Sequence, residues 1–315
     1  MRVFLAGATG AIGKRLVPML VGAGHQVMAM TRTADKADGL RQLGAEPVVL
    51  DAFDRAGVIA AVRAAAPDAV VHQLTAIPET VDFRTFGESF AVTNRLRTEG
   101  LDNLLAGAHE AGAQHFIAQS FAGWPYAREG GPVKTEEDAL DPAPSAGFRD
   151  TLAAIKTLED RMSRESGLRC VALRYGILYG PGTSIAPGGA VYEAVKARKV
   201  PVVGGGGGIW SFTHIDDAAG STVAALAREA RGIFNAVDDE PAAVREWLPY
   251  LAKVVGAGRP WRVPAFIARW VIGRTGVEMM TEIRGASNAK AKRELGWQPA
   301  VPSWREGFRE LASGA

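Results

Sequence analysis

Cysteine is nearly absent from the sequence: of its 315 residues, only Cys170 is a cysteine. No disulfide can therefore form within the chain, which fits a reducing compartment. Because the stretch around it, CVAL, is apolar, we expect Cys170 to be a small core residue and not a nucleophile.

Long apolar runs are missing as well, since none approaches the ~20 residues that a membrane span needs. The N-terminal stretch MRVFLAG already has the pattern of a buried strand, which leaves no room for a signal peptide ahead of it. We therefore expect a cytoplasmic protein with no membrane partner.

Neither sign of charge is in excess. The chain has 36 Lys and Arg residues against 34 Asp and Glu residues, a formal net charge of +2, so nothing electrostatic indicates nucleic acid. The five histidines and the lone cysteine show no ligand spacing, so no metal site is expected. The partner that remains is a small-molecule substrate.

Short apolar runs recur through the first half of the chain, with helical stretches between them. The runs before residue 181 are VFLAG, HQVMAMT, EPVVL, AVVHQLTA, HFIAQS and CVALRYGILYG. Strands that are apolar throughout are buried on both faces, and their alternation with helices indicates a parallel sheet covered on both sides. Pro18 argues against an unbroken first helix.

The texture changes after Gly180. PGTSIAPGG and VPVVGGGGGIW lack the alternation, FTHIDDAAGSTVAALA and GIFNAV return to it, and the final third is rich in Trp and Pro. We predict an α/β protein with a Rossmann-type, doubly wound parallel sheet in residues 1–180, to which 212–240 return. A smaller C-terminal substrate-binding lobe is expected in residues 181–315, with the ligand in the cleft between the two.

The first strand runs into a glycine-rich turn, GATGAIGKRL. Its glycines let the chain turn sharply, let a diphosphate approach the backbone and open a helix whose first N–H groups are free. Such a triplet directly after an N-terminal buried strand indicates dinucleotide binding, whereas the triplet alone is a weak signal. The contacts expected here come from Gly7, Thr9, Gly10, Ala11, Ile12 and Gly13.

The end of the second strand, AMTRTADK, decides between the two nicotinamide coenzymes. A carboxylate at this point, ~20 residues after the glycines, would grip the adenosine ribose of NAD, but Thr31 and Arg32 stand there instead. Because a guanidinium can clamp a 2′-phosphate, we expect NADP in preference to NAD. Otherwise Arg32 is a solvated surface residue. After the third strand, we expect Asp51 to contact the adenine and Asp54 to cap a helix.

These motifs resemble the extended short-chain dehydrogenases/reductases, the NAD(P)-dependent epimerase/dehydratase family, over nearly the full chain. Besides the glycine triplet, the matches are GLDNLL from Gly100, LRYGILYGPG from Leu173, FTHIDDAA around Asp217 and KAKRELGWQP from Lys290. The resemblance implies further cofactor contacts from Asp51, Ala52, Leu74, Thr75 and Ala76.

On the substrate side, the resemblance implies that Ser120, at the end of the fifth strand, hydrogen-bonds the substrate oxygen, with Trp124 as the aromatic residue that follows. Two positions depart from the family. Arg97 stands in place of a cofactor-side asparagine, with Asn94 one helical turn away, and Tyr175 replaces a nicotinamide-side proline. We expect Arg97 and Tyr175 to contact the cofactor.

In that family a tyrosine exchanges a proton with the substrate oxygen, and a lysine one turn later holds the nicotinamide ribose. The stretch FRDTLAAIKTLEDRM has Lys156, expected to contact the cofactor, but Leu152 four residues before it. In a register fixed by Glu159 the pair is Thr151 and Ile155, so neither register restores the dyad. The replacement proton donors, in order of preference, are Tyr175, Lys156 and Tyr126. Each also has a structural interpretation: loop tyrosines usually pack, and Lys156 can pair with Glu159 or Asp160.

Three functions follow from these motifs. The first is an NADP-dependent oxidoreductase that transfers hydride between the nicotinamide and a small, rather apolar carbonyl or alcohol, with Ser120 polarising the oxygen and no Tyr-x-x-x-Lys dyad. The second is a sugar-nucleotide epimerase or dehydratase, and the third is a non-catalytic NADP sensor or binding module. By the same resemblance, ESFAVTNRLRTEG and TLAAIKTLEDRM are candidate helices for a homodimer contact.

Overall fold

The computed structural model describes residues 1–228 and 230–313, with side chains as far as residue 311. Its centre is a seven-stranded sheet in which all neighbouring strands are parallel. The strands, in chain order, are β1 (Arg2–Ala6), β2 (Gln26–Thr31), β3 (Glu46–Val49), β4 (Ala69–His72), β5 (His115–Phe121), β6 (Val133–Lys134), β7 (Arg169–Tyr175), β8 (Ile177–Tyr179), β9 (Val202–Val203), β10 (Ile209–Trp210), β11 (Phe212–His214), β12 (Gly232–Ala236), β13 (Ala242–Ala243), β14 (Arg262–Val263) and β15 (Gly285–Ala286).

Helices connect these strands and cover the sheet. They are α1 (Ala11–Gly22), α2 (Ala37–Gln42), α3 (Arg55–Ala65), α4 (Phe86–Ser89), α5 (Ala91–Arg95), α6 (Leu101–Ala111), α7 (Ala146–Arg164), α8 (Ala190–Lys196), α9 (Ile215–Leu226), α10 (Val244–Val254), α11 (Ala265–Thr281) and α12 (Trp304–Ser313). Short 3₁₀ turns lie at Ala34–Lys36 and Phe83–Thr85, and π-helical turns at Leu96–Gly100 and Ala291–Leu295. None of the helices in the described part of the chain is both long and apolar enough to cross a bilayer.

The strand order is β12-β7-β5-β4-β1-β2-β3, which confirms the predicted doubly wound α/β fold. The chain builds outward from β1 through β2 to β3, and then crosses to β4 on the other side of β1. Ligands of open α/β sheets bind at such a reversal, in the crevice beyond the carboxyl ends of the strands. The fold therefore places the ligand site beyond β1 and β4.

Both faces of the sheet are buried, each in its own core. Successive side chains of a strand point to opposite faces and so enter different cores. On β1, Leu5 belongs to the core under α1 and α9, whereas Phe4 belongs to the core under α3, α6 and α7. Cys170 of β7 lies in the second of these cores and is 4% exposed, and burial raises the pKa of its thiol to about 12. The expectation of a structural cysteine is confirmed.

The expectation that Pro18 interrupts the first helix is wrong, since α1 continues through it. Pro18 is exposed, whereas Ile12, Leu16 and Leu20 bury the opposite side of the helix. The carbonyl of Lys14, which loses its intrahelical donor to the proline ring, therefore lies on the side that water can reach. Burial of the other face holds the helix together.

A further core gathers the C-terminal elements and reaches back to the start of α7. Its largest fully buried side chains include Trp247, Trp304 and Phe212, and the rings of Trp210 and Trp247 lie 4.7 Å apart. Phe148 of α7 belongs to the same core. The C-terminal residues are thus packed against the side of the sheet domain that carries α7.

Candidate active site

The glycine loop between β1 and α1 has no room for a side chain at Gly7 or at Gly13. Gly7 has a φ of +97°, and a Cβ built on it would lie 2.5 Å from the carbonyl carbon of Gln73. A Cβ on Gly13 would lie 2.2 Å from the carbonyl oxygen of Gly7. Among the described residues, no side chain caps the helix that begins here. A bare backbone turn with free N–H groups fits a coenzyme diphosphate.

The next two strand ends lie along the same edge. Thr31 is buried at the end of β2, while Arg32 is exposed and makes no hydrogen bond or ion pair within the described ranges. After β3, an Asp51 carboxylate oxygen accepts a hydrogen bond from the Phe53 N–H (2.9 Å), and Ala52 is buried. Asp54 caps α3 by accepting from the Gly57 N–H (3.0 Å), as predicted. Arg32 and Asp51 remain free to meet a ligand.

A buried histidine, His72, holds the turn that follows β4. His72 Nε2 lies 2.9 Å from the Leu96 carbonyl oxygen, and His72 Nδ1 accepts from the Leu74 N–H (3.2 Å). Burial lowers the pKa of His72 to about 4, so the ring is neutral near pH 7. His72 shapes the turn that carries Leu74, half-buried, and Thr75, exposed, and the Ala76 N–H donates to the Thr93 hydroxyl (3.0 Å).

Ser120 lies in a closed polar network. It is 4% exposed, and its hydroxyl donates to Glu159 Oε1 (2.7 Å). Arg174 holds the same carboxylate with two hydrogen bonds, from Nε (2.7 Å) and Nη2 (2.6 Å). Burial disfavours the Arg174 guanidinium, but the hydrogen bonds to Glu159 raise its pKa above the usual value. A buried arginine and carboxylate joined in this way form a strong bidentate pair.

Tyr126 closes the network on the other side. Its hydroxyl accepts from Arg174 Nη1 (2.9 Å) and donates to the Asn235 side-chain oxygen (2.7 Å). Burial raises the pKa of Tyr126 to about 12, although Arg174 opposes the shift. Tyr126 is fully buried, so it could reach a substrate only by giving up these partners. The hypothesis that Tyr126 donates a proton from a loop beside the cleft does not fit this geometry.

Strand register brings this network together. Ser120 of β5 is paired with Arg174 of β7, and Arg174 is paired with Asn235 of β12. The three side chains form a row across adjacent strands, and Glu159 of α7 caps the row. The sequence patterns gave Glu159 as a register marker and a possible partner of Lys156, and they did not indicate Asn235. A signal was present, because charged residues at buried positions of β7 and α7 must find partners.

On α7, the register fixed by Glu159 is the one that faces the sheet. Thr151, Ile155 and Glu159 are all buried, and Thr151 accepts a hydrogen bond from the Asn94 side chain (3.2 Å). Lys156 is half-buried and turned away, donating to the Asp141 carbonyl oxygen (2.8 Å). Two non-ionisable side chains thus occupy the inward positions of the dyad, and the structure does not bring Lys156 to Ser120.

Tyr175, the first choice as proton donor, is separated from Ser120 by the sheet. It follows Arg174 and therefore faces the opposite side, in the core under α1 and α9. Its hydroxyl is 3.1 Å from the Gln73 side-chain nitrogen and 3.0 Å from the Thr222 hydroxyl, and burial raises its pKa. Tyr175 and Ser120 cannot act on one substrate oxygen, which contradicts the order of preference given above.

Arg97 lies in the π-helical turn between α5 and α6 and is 5% exposed. Its Nε and Nη1 atoms have no hydrogen-bond partner among the described residues. Burial lowers the pKa of Arg97 to about 10, and the charge of Glu159 opposes the shift. The side chain therefore stays charged near neutral pH although it is enclosed.

Residues 3–236 match the NAD dependent epimerase/dehydratase family. The chain belongs to this family, as the resemblance predicted. It is 45% identical over 309 residues to a 3-diazoavenalumate denitrifying reductase of a Streptomyces species, covering 98% of this chain and 99% of that protein. It is also 25% identical to a 2-alkyl-3-oxoalkanoate reductase of Stenotrophomonas maltophilia, over 96% of this chain and 91% of the other.

Among solved structures, the fold is similar to that of a human epimerase family protein with NADPH. The TM-score is 0.77 at 20% sequence identity, with 100% of both chains covered. Together with the reductases named above, the family match confirms an NAD(P)-dependent oxidoreductase of the extended short-chain dehydrogenase/reductase type. It also confirms that the cofactor is a nicotinamide dinucleotide.

Proposed function

We propose that this protein is an NADPH-dependent reductase that replaces a diazo group on a small aromatic carboxylate by hydrogen, with release of dinitrogen. Two observations support the proposal. The relative that shares 45% of its residues over nearly the whole chain is named as a denitrifying reductase of a diazo compound. The inward dyad positions hold Thr151 and Ile155, which supply no acid.

The missing acid at the dyad positions carries the argument, because reduction of a ketone and reduction of a diazo group differ in their need for a proton. Reduction of a ketone adds a hydride to carbon and a proton to oxygen, so an acid must stand at the oxygen. In reduction of an aryl diazonium, a C–H bond forms, the C–N bond breaks and its electron pair leaves with dinitrogen. No proton enters the substrate, so the chain needs no acid at that point.

The coenzyme would be held along the carboxyl edge of β1 to β4. The backbone of the loop holds the diphosphate, through Gly7, Thr9, Gly10, Ala11, Ile12 and Gly13. Thr31 and Arg32 take the 2′-phosphate, which favours NADP over NAD. Asp51 and Ala52 contact the adenine, and Leu74, Thr75 and Ala76 line the stretch beyond β4. When bound, the reduced nicotinamide supplies the hydride.

A second candidate is the reduction of a small ketone. The 25% identical relative is named as an oxoalkanoate reductase, and Ser120 is the residue that would polarise the oxygen. That role requires the Ser120 hydroxyl to leave Glu159, to which it now donates.

The proposal also includes a cytoplasmic location and a homodimer. Light scattering tests the homodimer.

The test is turnover with NADPH that carries deuterium at the transferred position. An aryl diazonium carboxylate should give the arene carboxylate with deuterium on the former C–N carbon and one dinitrogen per NADPH consumed. A panel of ketones and sugar nucleotides is run in parallel, and reactions without protein correct for spontaneous loss of dinitrogen. Turnover confined to ketones would establish the second candidate. Tight coenzyme binding without any turnover would favour the sensor hypothesis.

A further inference from the structure

The buried charges beside Ser120 do not balance. Arg97 and Arg174 are both positive and both at most 5% exposed, whereas Glu159 is the one carboxylate that they share. A charge taken out of water needs a partner of opposite sign or several hydrogen bonds. Glu159 pairs with Arg174, on which the half-buried Glu136 also acts, whereas no carboxylate forms an ion pair with Arg97 among the described residues.

Glu159 makes no hydrogen bond to Arg97, because Ser120 and Arg174 take its contacts. Its Oε1 atom accepts from Ser120 and from Arg174 Nε, and its Oε2 atom accepts from Arg174 Nη2. Within the described residues, no hydrogen bond or ion pair joins Arg97 to Glu159, and the Nε and Nη1 atoms of Arg97 stay without partners. An enclosed guanidinium in this state can donate from Nε and Nη1 to a ligand oxygen without losing an internal hydrogen bond.

Arg97 also lies where a ligand binds. The carbonyl oxygen of the preceding residue, Leu96, is hydrogen-bonded to His72 at the end of β4. Arg97 therefore lies beyond the carboxyl edge of the sheet, next to the reversal between β4 and β1. The coenzyme phosphates have other assigned partners, the glycine loop and Arg32. The missing anion must therefore come from the second ligand of the site.

We propose that Arg97 binds the carboxylate of the substrate and so orients it against the coenzyme. An aromatic acid fits the surroundings. Phe90 is half-buried and lies one helical turn before Asn94, since the Asn94 N–H donates to the Phe90 carbonyl oxygen (2.7 Å). The rings of Phe90 and Phe86 are 4.5 Å apart. The same run of helix thus offers aromatic rings followed by a guanidinium. The identity of the substrate rests on the proposed function, but anion binding does not require turnover.

The experiment measures binding of 4-hydroxycinnamate and of its uncharged methyl ester by calorimetry, to the protein saturated with NADP. Wild type should bind the acid at least about 10-fold more tightly than the ester, a difference of about 1.4 kcal/mol. Arg97→Met should abolish this preference, and Arg97→Lys should restore part of it. Arg95→Gln is the matched control, since Arg95 ends α5 directly before the π-helical turn but is exposed and paired with Glu99.

Two further readouts separate this role from others. Because Arg97→Met removes an unpaired buried charge, the ligand-free variant should melt at a higher temperature than wild type. A coenzyme contact of Arg97, as the family resemblance implies, would make the variant lose NADP affinity, whereas under the present proposal that affinity stays within about 2-fold of wild type. An unchanged acid-to-ester ratio, or a loss confined to NADP binding, overturns the proposal. Failure of diazo turnover with the acid preference intact would overturn the proposed function alone.

Discussion

The coenzyme half and the substrate half of the site differ in how many of the family's motif residues they keep. The half beyond β1 keeps the glycine spacing of its family down to contacts at which a Cβ would collide with backbone. The half between β5 and α7 keeps the serine but has lost the tyrosine and lysine. There Ser120 serves a buried carboxylate held by Arg174.

This difference separates two tasks that the family usually combines. The coenzyme half depends on the shape of the backbone, which no other residue type can reproduce. The substrate half depends on side chains, which can be exchanged when the reaction no longer needs the same proton. A chain can therefore keep hydride transfer and change the group that is reduced.

The largest expected effect tests whether the substrate half is held together by its ion pair. Glu159→Gln should destabilise the protein by about 3–5 kcal/mol, because it leaves the buried Arg174 without a counter-charge. Urea unfolding measures the change. Asp160→Asn, at the next and exposed position of α7, is the control and should have little effect. A small loss in Glu159→Gln would mean that the pair is not needed for folding.

The coenzyme half is tested by Gly13→Ala. A Cβ would lie 2.2 Å from the Gly7 carbonyl oxygen, so the loop must shift, and NADPH binding should weaken by at least about 100-fold, or about 2.7 kcal/mol. Gly22→Ala, at the other end of α1, meets nothing within 4 Å and should be neutral or slightly stabilising. Calorimetric titration with NADPH compares the two. Equal affinities would break the argument for backbone shape.

His72 joins the halves and should make stability depend on pH. Its folded-state pKa of about 4 lies below the ordinary value of 6.5, so the unfolded chain takes up a proton on acidification before the folded chain does. The contribution is present above pH 6.5 and is lost as the pH falls, roughly 2 kcal/mol by pH 5. His72→Gln should reduce the slope of stability against pH in this window. A slope equal to that of wild type contradicts the assignment.

The smallest effect concerns coenzyme choice. Arg32→Gln should weaken NADPH binding by about 10-fold, or about 1.4 kcal/mol, and leave NADH binding unchanged, because only NADPH carries the 2′-phosphate. Arg41→Gln, an exposed arginine paired with Asp38, is the matched control. A parallel loss for both coenzymes would show that Arg32 acts through the loop and not through that phosphate.

Sequence patterns predicted most of the fold. Each apolar run before residue 181 contains a strand of the central sheet. Strands buried on both faces must be apolar, whereas the edge strand β3 is partly exposed. Pro18 was misjudged because the pattern shows a missing donor but not that its acceptor faces water. The decisive information there is which side of α1 is buried.

The site was harder to predict where it depends on register. The glycine loop is contiguous in the chain, so its spacing alone reveals it. Ser120, Arg174 and Asn235 become neighbours only through the pairing of three strands, and no local pattern reports that pairing. Tyr175 was expected at the substrate for the same reason, since the sequence does not say which face of the sheet its side chain lies on.

Gly7 rests directly on the backbone of Gln73, with no side chain between the two strands. The turn under the diphosphate and the strand end that leads to the substrate are therefore packed backbone against backbone. Each ligand pushes on a support that the other also uses, so their affinities should be thermodynamically linked, with equal strength in both directions.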